Sequence, residues 1–272
     1  MGKAEMNEGR IIVTGATGGI GAAVTEALAA QGRDIVMACR NAHKAEELRT
    51  RILASHPHAR LELRSLDLGS MDSVRAFAAD LGPEPVSALF NNAGVISRGY
   101  ALNADGFENT FCVNYFAPFL LTQLLLDRMQ PGSRVVNMVS LTCRYVRVTE
   151  ASLRPSEKDF SQLGTYARSK LALLHFSQEL ARRHPDLCVN LADPGIVNSG
   201  MISMGRWFDP LADVLFRPFI KSPEKGAIPP LSALASPERN RYFVGKRMTE
   251  IPARFRDPDL QRRLWEETER LL

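Results

Sequence analysis

The sequence predicts an α/β fold: a doubly wound, mainly parallel sheet of seven strands with helices on both faces. Three observations carry this. Short apolar runs alternate with amphipathic helical patterns from Ile11 to Ala192, and repeated β-α-β units place successive strands parallel. The apolar runs are continuous, as in Ile11-Ile12-Val13, which marks strands buried on both faces. A glycine-rich turn separates the first strand from the first helix.

Each element follows in order. Ile20, Val24 and Leu28 share one helix face, and Gly32 stops that helix. Asp34 to Cys39 is the second strand, and Asn41 can cap a helix running to about Ala54. Leu61 to Asp67 is the third strand, and Ser70 can cap the helix Met71 to Leu81. Val86 to Asn91 is the fourth strand. A long helix is expected from about Gly106 to Met129, ended by Pro131-Gly132. Arg134 to Ser140 is the fifth strand, Tyr166 to His184 a helix, and Leu187 to Ala192 the sixth strand. After Pro194 the rhythm breaks, and residues 195–222 are rich in Gly, Pro, Met and aromatics. A helix over Pro223 to Ala235, interrupted by Pro229-Pro230, a last strand at Tyr242 to Val244 and a helix over Leu260 to Leu271 complete the chain. No linker or repeat divides it, so residues 1–272 are expected to form a single domain.

Composition excludes several classes. At 272 residues and 45% apolar, the chain can build a large core without disulfide or metal staples. The net charge of +4 is mild, and the densest basic run, Arg254 to Arg263, is interleaved with Asp257 and Asp259. That pattern reads as a solvated helix surface, and no nucleic-acid partner is expected. Cys39, Cys112, Cys143 and Cys188 show neither metal-ligand nor redox spacing. They read as reduced thiols in a cytoplasmic setting. No HExxH pattern is present, His175 reads as a satisfied core residue, and no metal is expected. The N-terminus lacks an apolar run, and the longest apolar stretch, Tyr115 to Leu126, is short of the roughly 20 residues that span a bilayer. No secretory signal or membrane anchor is expected in this chain.

The turn Thr14-Gly15-Ala16-Thr17-Gly18-Gly19-Ile20-Gly21 lies between the first strand and the first helix. Glycines there let a backbone approach a pyrophosphate, and a helix N-terminus favours its charge. This placement makes the fold Rossmann-type and the turn a dinucleotide site. The second strand ends in Ala38-Cys39-Arg40, with no acid to bind a ribose 2′-hydroxyl. Arg40 suits a 2′-phosphate instead, so NADP(H) is expected in preference to NAD(H).

Tyr166 and Lys170 stand at i, i+4 and share a helix face. A free phenol titrates near 10, and an ammonium nearby should lower that value towards the working pH. The spacing alone is common on helices, and its weight comes from its partners.

The three motifs together, Thr14-Gly-x-x-x-Gly-x-Gly21, Asn91-Asn92-Ala93-Gly94 and Tyr166-x-x-x-Lys170, resemble the short-chain dehydrogenase/reductase family. The resemblance runs from Arg10 to Leu264. It is nearest to the retinol dehydrogenase-like branch, on Ala38-Cys39-Arg40-Asn41, Leu66-Asp67-Leu68 and Phe119-Leu120-Leu121-Thr122. It implies an oxidoreductase that interconverts an alcohol and a carbonyl by hydride transfer. The tetrad it implies is Asn114, Ser140, Tyr166 and Lys170. In that scheme Ser140 bonds the carbonyl oxygen, Tyr166 transfers the proton, Lys170 holds the nicotinamide ribose, and Asn114 holds a water leading to solvent. It further implies Gly15, Thr17, Gly18, Gly19, Ile20 and Gly21 at the pyrophosphate, and Arg40 and Asn41 at the adenine ribose. Asp67, Leu68, Asn91, Ala93 and Gly94 would line the adenosine side, with Pro194, Gly195, Val197 and Ser199 beside the nicotinamide. Gly18 and Val139 depart from the commoner residues of that family.

Two further expectations concern partners. The Gly106–Met129 helix carries more apolar residues than one buried face requires (Phe111, Val113, Tyr115, Phe116, Phe119, Leu120, Leu124, Leu125). A homo-oligomer is expected from that excess. The set Met201, Ile202, Met204, Trp207, Phe208, Leu211, Leu215 and Phe216 suits a bulky, mainly apolar small-molecule substrate, or docks on the sheet as core. A carbonyl reductase or hydroxysteroid-type dehydrogenase of other specificity stands as an alternative. So does a catalytically silent nucleotide-sensing regulator on the same fold.

Overall fold

The computed structural model describes residues 7–195 and 222–272. Its centre is one sheet of eight strands in the order β3-β2-β1-β4-β5-β6-β7-β8. The strands are β1 (Arg10–Thr14), β2 (Asp34–Cys39), β3 (Arg60–Ser65), β4 (Val86–Asn91), β5 (Arg134–Met138), β6 (Cys188–Asp193), β7 (Arg241–Val244) and β8 (Arg247–Glu250). The first seven pair in parallel, and β8 pairs antiparallel with β7. The expectation of seven strands is thus one short. Residues of β8 are all exposed and include Arg247, Thr249 and Glu250, so it has no apolar run to announce it. It forms because Gly245, at φ +56°, turns the chain back along β7.

Helices cover both faces. Ile11, Val13, Ile35 and Met37 pack with α1 (Gly19–Ala29), α2 (Ala42–Ser55) and α7 (Pro223–Ala235). Ile12, Val36, Leu89 and Val135 face α3 (Met71–Asp80), α5 (Ala117–Leu125), α6 (Gln162–Arg183) and α8 (Pro258–Leu271). Alternate residues of one strand thus feed two cores, which is why the strands read as continuous apolar runs. Asn41 and Ser70 cap α2 and α3 as expected, accepting from Lys44 N and Ser73 N.

Two helices differ from expectation. The long helix begins not at Gly106 but with α4 (Asn109–Phe111), capped by the Glu108 carboxylate. It passes through one π turn (Cys112–Phe116) into α5 and closes in a 3-10 turn at Leu126–Arg128. Pro229 and Pro230 do not interrupt α7, which runs on to Ala235.

The apolar excess on the long helix has an internal explanation. Tyr115, Phe116 and Phe119 are buried. Trp265 of α8 stacks on Phe176 of α6 at 5.6 Å and meets Phe119 edge-on at 4.9 Å. The Tyr115 hydroxyl lies 2.6 Å from Thr268 Oγ1 of α8. Helix α8 therefore covers the face that suggested a homo-oligomer. Of the eight apolar residues, Leu124 alone is exposed. All four cysteines are free and buried. His175 is buried with no partner for Nδ1, so it is a core residue but not a satisfied one. Burial holds its imidazole down to about 4.

Candidate active site

The carboxyl ends of β1, β4, β5 and β6 open onto a pocket of ≈ 560 Å³. It lies where the sheet order reverses between β1 and β4, the usual ligand crevice of an open α/β sheet.

The glycine turn forms one wall. Gly15 has φ +62°, and a Cβ there would come within 3.0 Å of the Ala93 backbone. At Gly21 an added Cβ would meet Asn92 Nδ2 at 2.7 Å. Gly18 is the N-cap of α1 and offers no side-chain cap, so the first N–H groups of α1 are left for another acceptor. Gly18, Gly19, Ile20 and Gly21 line the pocket at that point. An uncapped helix start behind a turn without side chains fits the pyrophosphate of a dinucleotide.

Asn92 holds this wall in place. Its Nδ2 donates to Thr14 O at 2.9 Å and to Gly15 O at 3.1 Å. The Thr14 hydroxyl accepts from Asn92 N and Ala93 N. The motif Asn91-Asn92-Ala93-Gly94 therefore acts partly as a staple between β4 and the turn, a role the residue order alone did not indicate for Asn92.

A smaller recess beside Gly15 is lined by Ala38, Arg40, Asp67, Leu68, Ala93 and Gly94. This brings together most of the residues expected at the adenosine. Three other residues expected at the cofactor make internal hydrogen bonds. Asn41 spends its side chain capping α2. Thr17 hydrogen-bonds the Cys39 thiol, which burial raises above its ordinary value. Asn91 points into the core, donating to Asn137 Oδ1 at 2.8 Å and Thr122 Oγ1 at 3.2 Å. Pro194 and Gly195 line the main pocket, while Val197, Ser199 and the apolar set Met201 to Phe216 lie outside the described residues.

The four tetrad candidates converge from three elements. Ser140 follows β5 by two residues and caps a 3-10 turn, Leu141–Tyr145. Tyr166 and Lys170 come from one face of α6, and Asn114 sits in the π turn, a distortion common at functional sites. Asn114 Oδ1 accepts from Val95 N at 2.8 Å, and Nδ2 donates to Val95 O and Ser169 Oγ, each at 3.0 Å. A Cβ built on Gly94 would lie 3.3 Å from both Asn114 Oδ1 and Lys170 Nζ, so glycine there is what lets these groups approach. Ser140, Tyr166 and Lys170 all line the main pocket.

The electrostatics differ from the simple expectation for Tyr166. Burial pushes its phenol up to about 12, while a hydrogen bond with Ser140 pulls it back and Cys143 and Asp193 add to the rise. Lys170 is engaged with the backbone. Its ammonium donates to Met138 O at 2.9 Å, and burial takes it down to about 8. Asp193, at the end of β6, accepts from Tyr242 Oη at 2.7 Å and Gly195 N at 2.9 Å, which fixes the turn at the pocket edge.

The sequence profile described as short chain dehydrogenase matches residues 10–206. The chain belongs to the short-chain dehydrogenase family. This short-chain dehydrogenase is 38% identical to the polyprenol dehydrogenase of Mus musculus, covering 97% of this chain and 84% of that protein. It is 33% identical to retinol dehydrogenase 13 of Homo sapiens, covering 96% and 84%. A crystal structure of a protein from Mycobacterium paratuberculosis superposes with a TM-score of 0.79 at 28% identity, covering 98% of this chain and 94% of that one. The enzyme is an NAD(P)-dependent oxidoreductase that interconverts an alcohol and a carbonyl. Among the described residues no helix is long and apolar enough to cross a membrane.

Proposed function

We propose that this short-chain dehydrogenase prefers NADP(H) and acts on a bulky, mainly apolar alcohol or carbonyl. The observation that carries the substrate class is the wall around Ser140 and Tyr166. Ile96, Val139, Leu141, Tyr145 and Leu163 line it, and Tyr145 and Leu163 stand exposed at its rim. Apolar walls with a few convergent polar groups select apolar ligands by burial and orient them by hydrogen bonds. Relatives named for polyprenol and retinol support the same class. The preference for NADP(H) rests on Arg40 at the adenosine recess and on Cys39 where an acid would bind a 2′-hydroxyl.

The proposed chemistry uses the tetrad. When bound, the nicotinamide supplies or accepts the hydride. Ser140 Oγ donates to the substrate oxygen as negative charge builds there. Tyr166 gives its proton to that oxygen in reduction and takes one in oxidation. Lys170, held against Met138, presents its charge toward the cofactor ribose, and Asn114 fixes the Val95 backbone beside it. The raised phenol keeps Tyr166 protonated near neutral pH, which suits carbonyl reduction. Four buried, unpaired thiols fit a reducing compartment such as the cytosol. Nothing in this proposal requires a homo-oligomer, since α8 covers the apolar face that suggested one.

A cofactor-consumption assay tests the substrate class. Retinoid, steroid-like and aromatic carbonyls should turn over with NADPH at higher kcat/KM than sugars or hydroxy acids. Better turnover of small polar substrates would overturn it.

A further inference from the structure

The residues around Ser140 show how its hydroxyl is oriented. The 3-10 turn that Ser140 caps is pinned by Cys143, buried to 1% exposure, whose N–H donates to Ser140 O at 3.1 Å. The turn places Thr142 directly over Ser140. Thr142 Oγ1 donates to Ser140 Oγ at 3.0 Å, and Thr142 N donates to the same atom at 3.3 Å. Both Ser140 and Thr142 line the main pocket with Tyr166.

A serine hydroxyl has one proton to donate and two lone pairs to accept with. We propose that Thr142 is a positioning residue: its hydroxyl and its N–H occupy both lone pairs of Ser140 Oγ, leaving that hydroxyl only its proton to offer the substrate oxygen. The proposal rests on the roles given above to Ser140 and Tyr166. Its consequence is a fixed polarity. Ser140 cannot accept from Tyr166, so the phenol proton is not diverted to the serine and remains aimed at the substrate oxygen. Two donors then converge on one oxygen, the arrangement a developing oxyanion requires. Without the Thr142 hydroxyl, one lone pair of Ser140 is freed, and the serine can take the Tyr166 proton as acceptor. Donation to Ser140 also polarises its O–H and strengthens it as a donor.

The test uses Thr142→Val, which keeps shape and N–H but removes the hydroxyl, and Thr142→Ser, which keeps the hydroxyl. Thr142→Val should lower kcat for carbonyl reduction by about fivefold to tenfold, the scale of one neutral hydrogen bond, with KM and the cofactor Kd changed by less than about twofold. Thr142→Ser should stay within about twofold of the parent. In a Ser140→Ala background, Thr142→Val should cause no further loss, because the effect passes through Ser140. An unchanged kcat in Thr142→Val, a Thr142→Ser variant equally impaired, or a full additional loss in the Ser140→Ala background would each overturn the proposal. Should the parent enzyme reduce none of the carbonyls, the substrate reading fails. The Thr142 proposal is then decided by crystal structures of the parent and the two variants. A Ser140 rotamer that swings in Thr142→Val but holds in Thr142→Ser supports it, and an identical rotamer in all three overturns it.

Discussion

Lys170 Nζ donates to the Met138 carbonyl at 2.9 Å, joining the helix that carries Tyr166 to the end of the strand that leads to Ser140. The ammonium is buried to 2% exposure and has no ion pair among the described residues. Keeping a cation there opposes folding, and burial accordingly takes Lys170 from 10.5 down to about 8.

That depressed value makes a stability prediction. Below about pH 8 both folded and unfolded chains bind the Lys170 proton, and the folded state bears the full cost. Between about 8 and 10.5 the unfolded state binds more protons, so stability rises with pH. Over pH 7 to 10 the wild type should gain on the order of 2 kcal/mol from this group. Lys170→Met lacks that gain, while its lost bond to Met138 O costs about 1–3 kcal/mol at every pH. Urea titrations of both proteins without cofactor should show the variant's relative stability falling by roughly 2 kcal/mol between pH 7 and pH 10. A difference that does not change with pH would contradict it.

Tyr166, held up to about 12 chiefly by burial, is protonated at neutral pH. Reduction uses the protonated form and oxidation the phenolate. Alcohol oxidation should therefore climb between pH 7 and pH 9, approaching about tenfold per pH unit, while reduction stays flat. Tyr166→Phe should lose at least about a hundredfold in turnover in both directions and keep its cofactor affinity. Oxidation that is flat over this range, or a variant retaining a tenth of the wild-type rate, would remove Tyr166 from the proton transfer.

Arg40 lines the adenosine recess beside Ala38 and Asp67. A charge-assisted bond to a 2′-phosphate is worth about 1.5–3 kcal/mol, so NADPH should bind roughly tenfold or more tightly than NADH. Arg40→Ala should erase most of that difference, and Cys39→Asp should shift preference toward NADH. Equal dissociation constants for the two cofactors in the wild type would refute the preference.

Trp265 ties α8 to Phe119 and Phe176, and Arg183 stacks on its ring at 4.5 Å. Trp265→Ala should cost about 3–5 kcal/mol, the usual range for a buried Trp truncation. It also uncovers the aromatic face of α5 and α6, so the variant should self-associate at micromolar concentration more than the parent does. Light scattering and chemical denaturation read the two effects separately. A variant as stable and as dispersed as the parent would show that α8 does not guard this face.

Much of the site could be read along the chain because its parts are local in sequence. The glycine turn, the Tyr166–Lys170 spacing and the Asn41 and Ser70 caps each depend on residues within one or two turns of each other. What was not legible was long-range. Asn91 and Asn92 are adjacent, yet one is a core residue bonded to Asn137 and the other staples Gly15, because successive strand side chains point to opposite faces. The packing of the apolar helix was likewise not legible, because the helix that covers its face, α8, lies more than a hundred residues later.

The sequence by itself determined the parallel sheet, the glycine turn and the shared helix face of Tyr166 and Lys170, since periodicity, glycine placement and i, i+4 spacing are properties of the local chain, while Ser140 was implied only by the family resemblance. Only the tertiary structure decided the protonation of Tyr166 and Lys170, the burial of the apolar face under α8, and the contact of Thr142 with Ser140. Burial and hydrogen-bond polarity depend on which distant segments close over a group. Desolvation from such closure moves a phenol to about 12 and an ammonium to about 8 without any change in the residues themselves.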